Sequence, residues 1–263
     1  MVEHKSEPKV LVITGASSGI GQALAEHYAK AGVTLGLTGR NRERLDEVGK
    51  ACMTKGAHVV TAVLDVVDQD EMRKWLHDFD NEYSVDIVIA NAGISAGTGG
   101  VLTGEEPTQV RHVFDVNLNG VLNTIEPLQD RMISRGKGKL VIMSSLAGYR
   151  GWPGAPAYCG SKAAVRVYGE SLRGALKKTG VQVSVVCPGF VKSRMTDQNA
   201  FPMPLLVQAD KAAVIIARGL RKNKGRIAFP LLPSIMAWLV MALPDLIAQT
   251  LLRNTPAKKA SDK

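Results

Sequence analysis

The sequence predicts an α/β protein built on a doubly wound parallel sheet, and three observations carry that prediction. Short, continuous apolar runs recur along the chain, as strands buried on both faces require. Stretches of helical length and mixed polarity separate them, which is the alternation of βαβ units. No shift in composition divides the 263 residues, and a chain of that length can bury one large core.

The elements follow in order. KVLVITG at 9–15 is an apolar run and the first strand; a glycine-rich turn leads from it into a helix at 21–32. VTLGLTG at 33–39 is the second strand, and the charged stretch from Asn41 to Gly56 the second helix. HVVTAVLDV at 58–66 is the third strand, followed by the helix QDEMRKWLHDFDNEY. VDIVIANAG at 85–93 is the fourth strand, and one long helix covers about 106–134. GKLVIMSS at 138–145 is a strand, a helix runs over about 157–179, and VQVSVVCPG at 181–189 is the next strand. A helix at 209–225 and the strand RIAFP at 226–230 complete the body. Residues 1–8 are a short tail, 9–230 the α/β domain, and 231–263 an apolar helical extension with a basic end.

Composition excludes several classes. The formal net charge of +9 favours anionic ligands or surfaces, but the basic clusters carry no interleaved aromatic residues, so nucleic acid is not expected as a partner. Cys52, Cys159 and Cys187 are far apart and form no CxxC, which suits a reducing compartment and buried thiols. Cys159 lies next to Tyr158, so alkylation there is expected to block a site. His4, His27, His58, His77 and His112 are dispersed, and no metal is expected. The first residues are charged and lack an apolar core, unlike a secretory signal. A cytoplasmic protein is expected, either free or peripheral to a membrane.

The turn TGASSGIG places Gly15, Gly19 and Gly21, with Ser17, Ser18 and Ile20, between strand and helix. Glycines there let backbone approach a pyrophosphate, and the helix N-terminus adds donors and a favourable dipole. Further on, Tyr158 and Lys162 are spaced i, i+4 and share a helix face. A phenol with a free pKa near 10 becomes a usable acid–base group when a neighbouring ammonium lowers it.

These residues together resemble the short-chain dehydrogenase/reductase family, in its NADP-preferring TGxxxGxG/YxxxK form, from about Lys9 to Ser193. TGASSGIG is similar to its cofactor loop; Asn91, Ala92 and Gly93 are similar to the turn supporting the sheet and the adenosine side. YCGSK resembles the active-site motif, with Ser145 thirteen residues ahead of Tyr158, and Asn117 resembles the family's helix asparagine. Pro188, Gly189, Val191 and Ser193 resemble the PGxVxT segment that meets the nicotinamide carboxamide, with serine in place of threonine. Asp65 and Val66 resemble the adenine-contacting pair. Gly39 stands where NAD-preferring members carry aspartate, and Arg40 follows. A guanidinium suits a 2′-phosphate, so the resemblance implies NADP(H) rather than NAD(H), with Arg42 adding positive potential.

The resemblance implies a Rossmann-like domain that interconverts a small-molecule carbonyl and an alcohol. Tyr158 would be the acid–base residue and also contact the cofactor, Ser145 would orient the substrate oxygen, and Lys162 would also bind the ribose. Asn117 would support a water that reconnects Lys162 to solvent. Ser95, Leu146, Tyr149, Trp152, Phe190 and Met195, with Ile94, are expected at the substrate pocket, which is mostly apolar. The family also implies a homodimer or homotetramer through the helices at 106–134 and 157–179.

The stretch 231–252 departs from the family's ketoacyl-carrier-protein reductases. Broken by Pro233 and Pro244, it is too short in uninterrupted form to span a bilayer. Core or interface helices, a substrate lid and a membrane-surface contact stay open as alternatives. Two other readings stand beside the reductase: a lipid or long-chain carbonyl reductase on a membrane surface, and a non-catalytic NADPH-binding regulator.

Overall fold

A computed structural model describes residues 8–99, 104–199, 201–253 and 258. The seven expected strands form one sheet: β1 (Val10–Thr14), β2 (Thr34–Gly39), β3 (His58–Val63), β4 (Ile87–Ala90), β5 (Gly138–Met143), β6 (Val181–Pro188) and β7 (Arg226–Phe229). All neighbours are parallel, in the order β3-β2-β1-β4-β5-β6-β7. The chain therefore works outward from β1 to β3, then returns to place β4 on the other side of β1. That reversal opens a crevice beyond the carboxyl ends of β1 and β4, where ligands bind in open α/β sheets.

Successive side chains of β1 explain the two layers. Leu11 and Ile13 enter one apolar cluster and Val12 the other, as a period of two dictates. On the first face pack α1 (Gly19–Tyr28), α2 (Arg42–Thr54) and α8 (Ala209–Arg221), through Leu24, Leu45 and Ile216. On the second pack α3 (Gln69–Tyr83), α5 (Gly120–Arg135) and α6 (Pro156–Ala175), through Leu76, Ile125, Leu128 and Val165. Each such buried aliphatic side chain stabilises the fold by roughly 1.5–3 kcal/mol.

The helix expected as one piece over 106–134 is three. Pro107 opens α4 (Pro107–Phe114), a π-helical turn covers Asp115–Asn119, and α5 follows. The wide turn changes the facing of the chain and leaves Asn117 fully buried. Where α3 meets α5, the buried Asp80 carboxylate accepts from Arg131 at 2.5 Å, Arg135 at 2.6 Å and the Val85 amide at 2.9 Å. Burial alone would raise its pKa, but the two guanidiniums and the amide hold it below the ordinary carboxylate range.

After β7 the chain forms α9 (Leu231–Ala242) and α10 (Asp245–Leu252), while α7 (Arg194–Asp197) is a short turn after β6. The extension therefore consists of two helices split at Pro244. Arg150 donates to Asp245 at 2.5 Å and fastens α10 to the body. No α9 residue is buried. Leu231 (76% exposed), Trp238 (51%) and Leu246 (79%) face outward. Among the described residues no helix is long and apolar enough to cross a membrane.

Candidate active site

The glycine turn joins β1 to α1. Gly15 has φ +65°, and a Cβ there would lie 2.8 Å from Ala92 Cα. A Cβ on Gly21 would lie 2.3 Å from the Gly15 carbonyl oxygen and 2.5 Å from Asn91 Nδ2. Any side chain at either position would force the turn away from β4. Asn91 holds the turn from behind: its Nδ2 donates to the carbonyls of Thr14 (3.0 Å) and Gly15 (3.2 Å). Thr14 Oγ1 accepts from the Asn91 and Ala92 amides at 3.1 and 3.2 Å. At the start of α1, Ser18 makes no side-chain cap and the first turn holds no acidic residue. The helix N-terminus thus keeps its donors and positive end for an anion.

A cavity of about 740 Å³ runs from this turn along the carboxyl ends of the strands. At one end are Gly39, Arg40, Asn41, Arg44, Asp65 and Val66; at the other are Ser145, Tyr158, Lys162 and Trp152. The volume, the glycine cradle and the donor-rich helix start fit an extended dinucleotide.

At the first end Arg40 lies 3.6 Å from Asp65, in a half-exposed ion pair. Asp65 also accepts from the Val67 amide at 3.2 Å, and the Val66 carbonyl accepts from Asn123 Nδ2 at 2.9 Å. Arg42, expected to add potential here, does not line the cavity, because it begins α2 on the exposed side. Arg44 takes its place. It is one turn into the helix, lines the cavity, and its buried Nε has no partner. The i, i+2 offset turns two side chains to different faces of a helix, a cue the sequence offers once the helix start is known.

At the other end Ser145 caps a 3₁₀ turn (Leu146–Gly148), accepting from Ala147 N at 3.1 Å, and donates to the Pro188 carbonyl at 3.4 Å. It also hydrogen-bonds Tyr158. Lys162 Nζ donates to the Met143 carbonyl at 3.0 Å, while Ser144 Oγ donates to the Lys162 carbonyl at 2.7 Å. Asn117 Oδ1 accepts from Ile94 N (2.8 Å), and its Nδ2 donates to Ile94 O and Ser161 Oγ, both at 3.0 Å. A Cβ on Gly93 would sit 3.1 Å from Asn117 Oδ1 and 3.2 Å from Lys162 Nζ, so Gly93 leaves the space through which these two face each other.

The electrostatics add burial to the i, i+4 argument for the Tyr158 phenol. Burial pushes that phenol above its ordinary value, and the Ser145 hydrogen bond opposes it. Lys162 itself is drawn down to about 8, by burial first and by the Lys258 ammonium second. Burial likewise raises the Cys159 thiol, so Cys159 is poorly placed for the alkylation expected of it.

Of the other expected residues, Ser17, Ser18, Gly19, Ile20, Ala92, Leu146, Tyr149, Pro188, Gly189, Phe190, Val191, Ser193 and Met195 all line the cavity. Ser193 is occupied as the cap of α7, in a reciprocal pair with Thr196. Burial pushes Tyr149 up to about 12, and the ring lies against Arg166 and Arg226. Three expectations fall outside the lining. Gly21 is behind the turn, Asn117 is in the wall behind Lys162, and Ser95 accepts a hydrogen bond from Lys258 instead of facing the cavity. Five lining residues come from α9, namely Leu232, Pro233, Met236, Ala237 and Val240, and Lys258 lines it too. Apolar spacing alone does not say which wall an appended helix covers. Among the described residues no group of His, Cys, Asp and Glu is suited to a metal ion.

Comparison with known proteins identifies the family and the fold. Residues 9–202 match the model of the short chain dehydrogenase family. An oxidoreductase of Myxococcus xanthus is 35% identical over 238 residues, covering 90% of this chain and 93% of the relative. One from Mycobacterium tuberculosis is 35% identical over 227 residues, covering 85% and 88%. Among solved structures, a 3-oxoacyl-[acyl-carrier protein] reductase from Brucella melitensis is 28% identical with a TM-score of 0.74, covering 84% of this chain and 90% of its own. A short chain dehydrogenase/reductase from Burkholderia phymatum, in complex with NAD, aligns over 97% of this chain and 98% of its own at a TM-score of 0.81; at 24% identity it speaks to the fold. The chain belongs to the short chain dehydrogenase family and is an oxidoreductase.

Proposed function

We propose that the protein is an NADPH-dependent reductase of an apolar carbonyl compound, or the alcohol dehydrogenase of the reverse direction, with Tyr158 as the acid–base residue. The observation that carries this reading is the shared cavity, which has Tyr158, Ser145 and Lys162 at one end and Arg40 and Arg44 at the other. When bound, the nicotinamide supplies the hydride, so the chain must supply the proton and the geometry.

Burial keeps Tyr158 protonated at neutral pH, so it enters a reduction as an acid. Ser145 orients the carbonyl oxygen beside the phenol, and both donors stabilise the negative charge that grows there. Lys162, mostly charged below pH 8, favours the phenolate left when the proton has gone. Asn117, held by Ile94 and Ser161, supports a water between Lys162 and solvent that restores the proton.

The preference for NADPH rests on the adenosine end. No carboxylate occupies position 39, and two guanidiniums, one with an unpartnered Nε, face the cavity. A 2′-phosphate would complete both. Asp65 tempers Arg40 by pairing with it. Solved neighbours hold either nucleotide, NADPH in one from Sphingobium yanoikuyae and NAD in others, so the preference is read from Arg40 and Arg44 alone.

The outward side of α9 and α10 supports a second feature of the reading, contact with an anionic membrane surface. Leu231, Trp238 and Leu246 face out, while Leu232, Met236 and Val240 of the same segment line the cavity, so an apolar substrate would reach Tyr158 from the bilayer. The net charge of +9 favours anionic lipid. Flotation with phosphatidylserine vesicles tests this, and sedimentation without lipid tests the alternative occupant, a second copy. The homodimer or homotetramer through α5 and α6 is read from the same sedimentation experiment.

The central test is consumption of NADPH and NADH against aldehydes and ketones graded in size and apolarity. Turnover with NADPH supports the reading. Tight NADPH binding with no turnover on any carbonyl supports the non-catalytic regulator.

A further inference from the structure

Lys258 is far from the active site in sequence and beside it in space. Its ammonium lies 4.1 Å from the centroid of the Tyr158 ring and donates to Ser95 Oγ. Main chain fixes this placement. The Lys258 amide donates to the Gly154 carbonyl at 3.3 Å, and its carbonyl accepts from the Gly99 amide at 2.8 Å. Lys258 therefore bridges the loop after β4 and the loop before α6, the two loops that flank Tyr158. A Cβ on Gly97 would come within 2.6 Å of Lys258 Cβ, so the glycine admits this close passage.

This lysine has no carboxylate partner among the described residues. Its one side-chain hydrogen bond among the described residues, to Ser95, leaves two N–H donors of the ammonium without a partner there. It lines the same cavity as Tyr158 and Ser145. A cation placed there without a counter-ion is costly, and burial depresses its pKa to about 8. A ligand anion would offset that cost.

We propose that Lys258 is a substrate-recognition residue, and that the carbonyl compound bears a carboxylate close to the reacting carbon, which this ammonium holds. With the ammonium over the ring face and the phenol oxygen roughly 3 Å from the centroid, an oxo acid with its two groups one or two carbons apart reaches both without folding back on itself. The rest of the molecule is apolar, as the α9 wall requires. The inference rests on the reductase reading and names the substrate class within it.

The experiment compares benzoylformate with its methyl ester, reduced by NADPH, in the wild type, Lys258→Met and Lys258→Arg. The wild type is expected to favour the acid. Lys258→Met should cut kcat/KM for the acid by about 10- to 100-fold, the range of a charge-assisted hydrogen bond, chiefly through KM. The ester should change by less than about threefold, and Lys258→Arg should keep most of the preference. Equal losses on both compounds, no loss, or faster turnover of both in Lys258→Met would overturn the proposal; the last would mark the residue as an obstruction. Binding of mandelate to the NADP⁺-saturated protein, read by tryptophan fluorescence, separates this from the parent reading. Weaker binding in Lys258→Met with no turnover of any carbonyl would sink the reductase and keep the carboxylate site. Reduction of neutral carbonyls with unchanged mandelate binding would do the reverse.

Discussion

The dinucleotide end of the cavity and its α9 wall are built on opposite terms. At the first, polar atoms are almost all spent on one another: Asn91 on the turn, Thr14 on two amides, Ser193 on the cap of α7. The exceptions include a helix start without a cap and the Arg44 Nε, atoms a phosphate would use, and the buried Thr38 Oγ1. At the second there is hardly a polar atom, no residue of α9 is buried, and a lysine from near the C-terminus closes the gap. The difference teaches how the molecule divides its work. The rigid end repeats a geometry that any dinucleotide needs, and the loosely covered end carries what is particular to one substrate.

Four variants would break or sharpen this contrast. Tyr158→Phe removes the proton donor but not the cavity wall. It should lower kcat by about 10²- to 10⁴-fold while NADPH affinity in a fluorescence titration stays within about threefold. A comparable loss of affinity would make Tyr158 part of the cofactor frame instead.

The next effect is on stability and lies in the body. Asp80→Asn removes the charge that pairs two arginines. With those arginines partly in solvent, the loss should be roughly 2–4 kcal/mol in urea unfolding at pH 7. The folded-state pKa is depressed, so this contribution is present above the unfolded value near 3.9 and fades as pH falls below it. The gap between wild type and Asp80→Asn should therefore narrow toward pH 3; a constant gap would mean that charge is not its source.

Arg40→Ala with Arg44→Ala should weaken NADPH by about 10- to 100-fold and leave NADH within about threefold. Equal weakening of both would show that the arginines serve the shared adenosine and not a 2′-phosphate. The smallest effect belongs to the outer wall. Leu231→Gln with Leu246→Gln, both at exposed positions, should alter stability by no more than about 0.5 kcal/mol. The same pair should reduce flotation with phosphatidylserine vesicles several-fold. A large loss of stability would instead show these leucines buried against a second copy.

What was legible in the sequence follows the same division. All seven strands are apolar runs, and the strand–glycine–helix order locates the cradle before any coordinates. Local rules suffice there because neighbours in the chain are neighbours in the site. Legibility fails where contacts are remote. The π turn at Asn117 looks like plain helix, because its bulge satisfies the Ile94 and Ser161 partners brought in by folding. Arg44 rather than Arg42 faces the cavity, a matter of helix phase that moves with one residue of the start. The sequence predicts Ser95 at the cavity, yet its hydroxyl meets Lys258 across 163 positions. Burial pushes the phenol opposite to the i, i+4 argument, while the Lys162 ammonium is turned to the Met143 carbonyl.

The account stands or falls on hydride delivery at Tyr158. The most direct measurement is a single turnover with NADPH deuterated on the transferred face of C4 and a carbonyl that the protein reduces, with the alcohol analysed by mass spectrometry. The account predicts one deuterium on the carbinol carbon, formed by the wild type and nearly absent from Tyr158→Phe. Alcohol that forms without the label, or forms equally well in Tyr158→Phe, would contradict it.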